Sequence, residues 1–339
     1  MRIKATGPTT KQHNTALVYR ALRESGSATA QELAGLTGLS VMTVGSILGQ
    51  LVADGRALKG LLLPSGGGRP SQSYEFNTAH AHVAVVCARA RERHVVVDVR
   101  VADLLGQCQW ERSYLLDDIR VDSFVPLVEE ALRLFPTIGA LGFSMPGTEH
   151  DARLGMSASD FSALAGTRFS EFYRSWFHLP VSFENDANAA ALGWVARHPQ
   201  VNSLVYLYFP GACPPGLGFY LNGALWRGRQ SAAGEVGRLP LGVDWPSLPA
   251  ASLEAQCEAL ARMAAVACAA VDPEVAVLSA DFLAPEHLEL VSRRCADYLI
   301  LPPRLELSRH FPQDFSSGVI RSALALLDKP LGLSSFDFI

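Results

Sequence analysis

Residues 29–70 constrain this chain more than any other stretch: TAQELAGLTGLSVMTVGSILGQLVADGRALKGLLLPSGGGRP. Thr29 and Glu32 stand at the spacing of a capping box, in which hydroxyl and carboxylate each take an orphan backbone N–H, so a short helix carrying Leu33 and Leu36 starts there. Gly38 stops it and Ser40 caps the next. In that second helix Val44, Ile47, Leu48, Leu51 and Val52 recur at i, i+3, i+4, i+7 and i+8, one apolar stripe for a core with the opposite face left for a partner. Upstream, residues 11–25 (KQHNTALVYRALRES) predict a helix packing Leu17, Val18, Ala21 and Leu22 and ending at Gly26. Downstream, Gly55 ends the third helix, and ALKGLLL to about SYEF predicts a two-stranded wing whose connection holds SGGGRP. The pattern is that of a winged helix-turn-helix over residues 1–80.

Such a unit places the start of its second helix in the major groove of DNA. Here that exposes Ser40, Val41, Thr43, Ser46 and Gln50. Hydroxyls can reach phosphates or base edges, and Val41 or the Thr43 methyl can meet a thymine methyl, but no Arg is present to fork onto guanine. Gly45 and Gly49 each cost about 1 kcal/mol inside a helix unless a close approach needs them. Arg69, delivered by a glycine run, suits a narrow A·T minor groove. The alternative is a small helical protein-contact module with SGGGRP as a linker. Charge leans toward DNA: residues 1–80 hold eight basic and four acidic side chains, a net +4, whereas the whole chain carries −4, leaving −8 for the remainder.

The chain's 339 residues suffice for this head and a two-lobed body. The first residues lack the apolar core of a secretory leader, and the uncharged run 198–226 is broken by prolines and glycines, so a cytoplasmic protein without a membrane span is expected. The six cysteines are scattered, as reduced thiols in such a compartment would be. From about Ala81 the pattern is period two: HVAVVCA, RHVVVDVRVADLLG and QCQWERSY predict three meandering strands. A helix near 121–135, the strand TIGALGFSMPG, a helix near 167–177, the strand LPVSFEN and the helix DANAAALGWVARH follow, then the strands SLVYLYF and GLGFYLNGALWRG. That order predicts an α/β lobe with a mixed sheet over 81–193 and a second α/β lobe over 194–339. Beyond Asp281, PEHLELVSRRCADYLI predicts a helix and LPPRLELS an edge strand.

FENDANAAALG (183–193), the glycine-rich hairpin ending GFYLNGALWRG, and SAAGEVGRLPLG (231–242) together resemble the ROK family of repressors, open reading frames and sugar kinases. SMPG (144–147) and VDPEVAVLSA (271–280) resemble two further family segments, and a winged helix ending in SGGGRP resembles the head of its regulators. The resemblance implies an actin-like ATPase body of two lobes with a sugar in the cleft between them. It implies that Asn185, Asp186 and Glu235 bind sugar hydroxyls, and that in a kinase Asp186 would be the general base. Read from the residues alone, Asn185 and Asp186 can equally cap the helix that follows, and Glu235 can be a loop carboxylate.

Two departures from the family pattern shape the functional expectation. The first phosphate turn, Asp-x-Gly-x-Thr in the kinases, corresponds to Cys87, Ala88, Arg89, Ala90 and Arg91, and in the second loop Pro214 and Pro215 lack backbone donors. The zinc motif is missing: Arg238 stands where the family has a His, and Cys257 and Cys268 alone cannot form a four-ligand site. Degenerate ATP and zinc sites predict no cofactor, no metal and no enzymatic activity. What remains is a transcriptional repressor that binds a double-stranded DNA operator as a homodimer or dimer of dimers. Its effector would be a sugar or sugar phosphate held by Asn185, Asp186, Glu235 and Arg238. The alternatives are a sugar kinase with a DNA-binding head and a ligand-independent regulator whose body only dimerises.

Overall fold

The computed structural model describes residues 10–64, 70–91, 94–156, 159–210 and 214–328. The head runs α1 (Thr10–Ser25), β1 (Ser27–Thr29), α2 (Ala30–Thr37), α3 (Val41–Ala53), β2 (Ala57–Leu63) and β3 (Ser71–Phe76). Thr29 and Glu32 close the capping box of α2 in both directions, and Gly38 ends that helix in the left-handed region at φ 71°. The Ser40 hydroxyl accepts the Thr43 N–H at 3.1 Å and starts α3, whose Val44, Ile47, Leu48 and Leu51 are buried. The wing has one strand more than its sequence pattern predicts. β1, whose Thr29 also caps α2, pairs antiparallel with β3, giving a three-stranded sheet in the order β1-β3-β2.

The body begins with β4 (His82–Arg91), β5 (His94–Asp103) and β6 (Cys108–Leu116), followed by α4 (Val125–Leu134), β7 (Ile138–Ser144), the hairpin β8 (Gly147–His150) and β9 (Arg153–Met156), α5 (Phe169–Phe177), β10 (Val181–Glu184) and α6 (Asp186–Arg197). The second lobe runs β11 (Leu204–Tyr208), β12 (Gly216–Leu221), β13 (Ala224–Leu225), α7 (Leu253–Val271), β14 (Val275–Ser279), α8 (Pro285–Tyr298), β15 (Arg304–Leu307) and α9 (Phe311–Asp328). The two five-stranded sheets are ordered β6-β5-β4-β7-β10 and β13-β12-β11-β14-β15. Each is an antiparallel meander of three strands to which two parallel strands are added beside the first. Helix for helix the circuits also agree: α4 and α7 precede the fourth strand, α5 and α8 the fifth, and α6 and α9 follow it. The body is a duplication at the level of topology.

The last helix of each circuit crosses to the other sheet. α6 packs on β11 and β12, burying Ala190, Ala191 and Trp194 against Leu204, Tyr206 and Tyr220. α9 packs on β4, β7 and β10, burying Val319, Ile320 and Ala323 against Val83, Val85 and Cys87. Packing therefore crosses the division at residue 194 in both directions, through α6 and α9: continuity along the chain is a poor guide where terminal helices exchange. Strand β4 alternates as a two-faced strand should, since its other residues, Ala84, Val86 and Ala88, join the core beneath α4 and α5. α6 and α9 meet closely because each has glycine at its eighth position. A Cβ on Gly193 would collide with the carbonyl of Asp314, and one on Gly318 with the carbonyl of Ala189, each the fourth residue of the opposite helix.

The end of α9 meets the head, whose core continues into that of β4 and α9. Arg23 of α1 donates to the Leu104 carbonyl and pairs with Asp328 at 3.4 Å, both side chains being largely buried. Among the described residues no single helix is long and apolar enough to cross a membrane; α2 and α3 pass that test only as a pair, bent by 114°, and they are the helix-turn-helix.

Candidate ligand cleft and nucleic-acid face

β10 ends at Glu184, and its neighbour β7 ends at Ser144, whose hydroxyl donates to the Glu184 carbonyl at 2.7 Å. The chain then turns directly into α6. Asn185 is the cap: its Oδ1 accepts the N–H groups of Ala187 at 2.9 Å and Asn188 at 3.4 Å, while its Nδ2 donates to the Gly147 carbonyl at 3.3 Å. The capping alternative thus describes what Asn185 does here, and this amide joins α6 to the SMPG turn. Asp186 is held differently. Its Oδ1 accepts the Ala187 N–H at 2.8 Å, and burial, with Glu235 nearby, raises its pKa from 3.8 to about 6. In the same turn Asn188 is buried, with an Oδ1 that no described residue donates to.

Glu235 comes to Asp186 through β12. Its backbone bridges to Gly216, where an added Cβ would sit 3.8 Å from an Asp186 carboxylate oxygen. Two other glycines make that approach feasible: Gly218 lies against the Ala187 carbonyl, and Gly234, at φ 91°, lies against the Leu217 carbonyl and accepts the Leu217 N–H at 3.0 Å. Desolvation also raises the Glu235 pKa. Asp186, partly buried and flanked by a helix N-terminus, and Glu235, exposed beside it, offer acceptors to neighbouring hydroxyls. Arg238 is exposed, and among the described residues nothing bonds it, so Asn185, Asp186 and Glu235 come together while Arg238 is not drawn in.

The sequence reading missed three groups. Glu184 is buried and pairs with Arg227, which follows β13, and it accepts the Ser322 hydroxyl of α9 at 3.2 Å, joining both lobes beside the cleft. Its place next to Asn-Asp in FEND was the available signal. Tyr208 ends β11, stacks on Phe311 at 3.6 Å and has its pKa raised by burial and by Asp186 and Asp281. Phe311 also lines a 440 Å³ cavity with Ser279, Asp281, Ser308 and Arg309. Asp314, fully buried, takes the hydroxyls of Tyr206 and Ser308 and pairs with Arg197 of α6.

Among the described residues, the side chains at the nucleotide and zinc positions are engaged within the fold. Arg89, in the first phosphate turn, pairs with Asp98 at 2.9 Å, and Asp98 also accepts the Ser113 hydroxyl at 2.6 Å. The turn's Cys87 thiol is buried and pushed up to about 12. Pro214 packs against Gly237, while residues 211–213 of the second loop lie outside the described residues. Cys257 and Cys268 are core residues of α7, with burial raising both thiols, the latter to about 12.

In the head, the residues expected to face DNA divide into two sets. Ser40 and Thr43 are engaged with each other, their hydroxyls 2.8 Å apart, and Gln50 donates to Asp54 at 2.8 Å. Val41 and Ser46 are exposed on α3. Arg69 lies outside the described residues. Met42, 85% exposed beside Val41, was not singled out from the sequence, although its spacing from the buried stripe places it on the outer face.

Residues 115–257 match the ROK family model. A xylose repressor from Caldicellulosiruptor bescii is 23% identical over 236 residues, spanning 67% of this chain and 58% of that protein, less than two thirds of the relative's length. Among solved structures, a ROK family transcriptional regulator, homologue of the E. coli MLC protein, superposes with a TM-score of 0.67 at 12% identity over 97% of both chains. The ROK hexokinase of Thermus thermophilus superposes with a TM-score of 0.58 at 18% identity over 73% of this chain and 99% of its own. The regulator's fold extends over the head as well as the body, the hexokinase's over a stretch of about the body's length. Residues 115–257 of this chain are thus similar to the ROK family, and its body has that fold, behind a winged helix-turn-helix head.

Proposed function

We propose that the protein is a DNA-binding transcriptional repressor whose ROK body binds a sugar or sugar derivative and does not phosphorylate it. The observation that carries this reading is the pairing of a fully capped helix-turn-helix with a body whose first phosphate turn holds Arg89 in an ion pair. A phosphoryl-transfer site needs backbone donors and a metal-binding carboxylate at that turn. The carboxylates of Asp186 and Glu235 are the groups for a polyol. The relative's name, xylose repressor, supports a pentose as the first effector to try.

The test has two arms. Thermal unfolding against a panel of neutral and phosphorylated sugars should give one that raises the melting temperature, since ligand at 100 times its Kd adds about 2.7 kcal/mol. Asp186→Asn should remove that rise while leaving DNA binding in place. In the second arm, ATP-dependent phosphorylation of any stabilising sugar, abolished in Asp186→Asn, would replace the repressor reading with that of a kinase bearing a DNA-binding head. Failure of every sugar, with DNA binding intact, would favour a body that serves only in assembly.

A further inference from the structure

We infer that Met42, with Val41 beside it, reads thymine methyl groups in the major groove of the operator, so that recognition by α3 includes apolar contact at its first turn. This deepens the DNA-binding reading above and rests on it. Three of the polar groups expected to face DNA are engaged within the chain: Ser40 and Thr43 bond one another, the Ser40 hydroxyl caps the helix, and Gln50 donates to Asp54. What projects from the first turn is Val41, 51% exposed, and Met42, 85% exposed, with Ser46 one turn on.

The occupant follows from chemistry and charge. An unbranched, polarizable side chain left in water is out of place on a helix whose inner stripe is fully packed, and it can adapt to an irregular apolar surface. From Val41 to Ala53 the helix carries no charged side chain, while residues 1–80 as a whole carry +4, which matches a neutral groove floor bordered by phosphates. In the major groove the thymine C5-methyl is the apolar group, and it distinguishes T from C at the same position. Gly45 and Gly49, where an added Cβ would have nothing within 4 Å, leave the rest of this face smooth enough for the helix to lie deep.

The experiment enriches duplexes from a random-sequence library with the full chain, then resynthesises the tightest one with deoxyuridine in place of each thymidine in turn. Uracil keeps every hydrogen-bonding group and removes only the methyl. Wild-type protein should lose about 3- to 5-fold in affinity at one or two positions, the scale of burying one methyl group. Met42→Ala should weaken binding to the thymine duplex by a similar factor and lose the sensitivity at one of those positions, whereas Met42→Leu should keep it. Affinity unchanged by uracil at every position, or sensitivity that persists in both Met42→Ala and Val41→Ala, overturns the inference while leaving DNA binding standing. A chain that retains no duplex at roughly 50 mM salt overturns DNA binding itself, and this inference with it.

Discussion

Asp186 illustrates how a carboxylate can be held partly dehydrated at a cost to the fold. Its carboxylate is partly stripped of water beside Glu235, so its folded pKa, about 6, lies above its ordinary 3.8. The folded chain then holds a proton that the unfolded chain releases between about pH 4 and pH 6, and stability falls as pH rises through that window, the penalty being complete above it. Asp186→Asn keeps an oxygen for the Ala187 N–H and removes the charge. It should gain on the order of 1–2 kcal/mol at pH 7.5 and almost nothing at pH 4, measured by urea unfolding at the two pH values. A gain equal at both pH values would mean that packing, not charge, governs the site. Asn185, Asp186 and Glu235 were legible in the sequence because END and the downstream A-G-E are contiguous motifs. Their neighbours were not: Tyr208 and Ser322 reach the cleft only through the sheet order and the return of α9, which local spacing does not encode.

At the scale of elements, most helices and strands follow from periodicity and caps. The head's three helices, the first meander and the strand pair after α6 fall where apolar patterning places them. β1 escaped because three residues with an exposed-buried-buried pattern give no alternation to detect. α9 lies beyond the last segment the pattern assigned, LPPRLELS, and even an amphipathic helix states only that it has a core face, not which sheet will cover it. The α6–α9 crossing supplies a sharper test than either helix alone. Gly193→Ala and Gly318→Ala each place a methyl against a backbone carbonyl that cannot swing aside, so each should destabilise the protein by about 3 kcal/mol, at the upper end of ordinary overpacking. Since the two sites share one contact, the double variant should cost less than the sum, measured by urea unfolding. Helix propensity alone predicts the opposite sign for both, because alanine is the better helix former.

At the scale of the whole molecule, a positive head is mounted on a negative body, and the joint between them is built from Arg23, Asp328 and a shared apolar core. Removing Arg23 leaves the Asp328 carboxylate buried without that partner, so Arg23→Ala should cost about 3 kcal/mol, and adding Asp328→Ala should restore part of it. A double-mutant cycle by urea unfolding measures the coupling; additive losses would mean that the apolar contact alone joins the two parts. The duplication of the body was invisible in the sequence because topology is repeated while residues are not: FENDANAAALG and LSRHFPQDFSSG lie at matching turns with almost no identity. The reciprocal glycine crossing has a mechanical consequence. Helices locked together at one point by two carbonyls resist sliding but can still swivel, so Gly193 and Gly318 act as a fulcrum. One arm of α9 ends at Phe311 against Tyr208, and the other runs roughly 15 Å to Asp328 at the head. A swivel of about 5° at that fulcrum would carry the far end through about 1.3 Å, a step of the size seen in helix shifts between functional states.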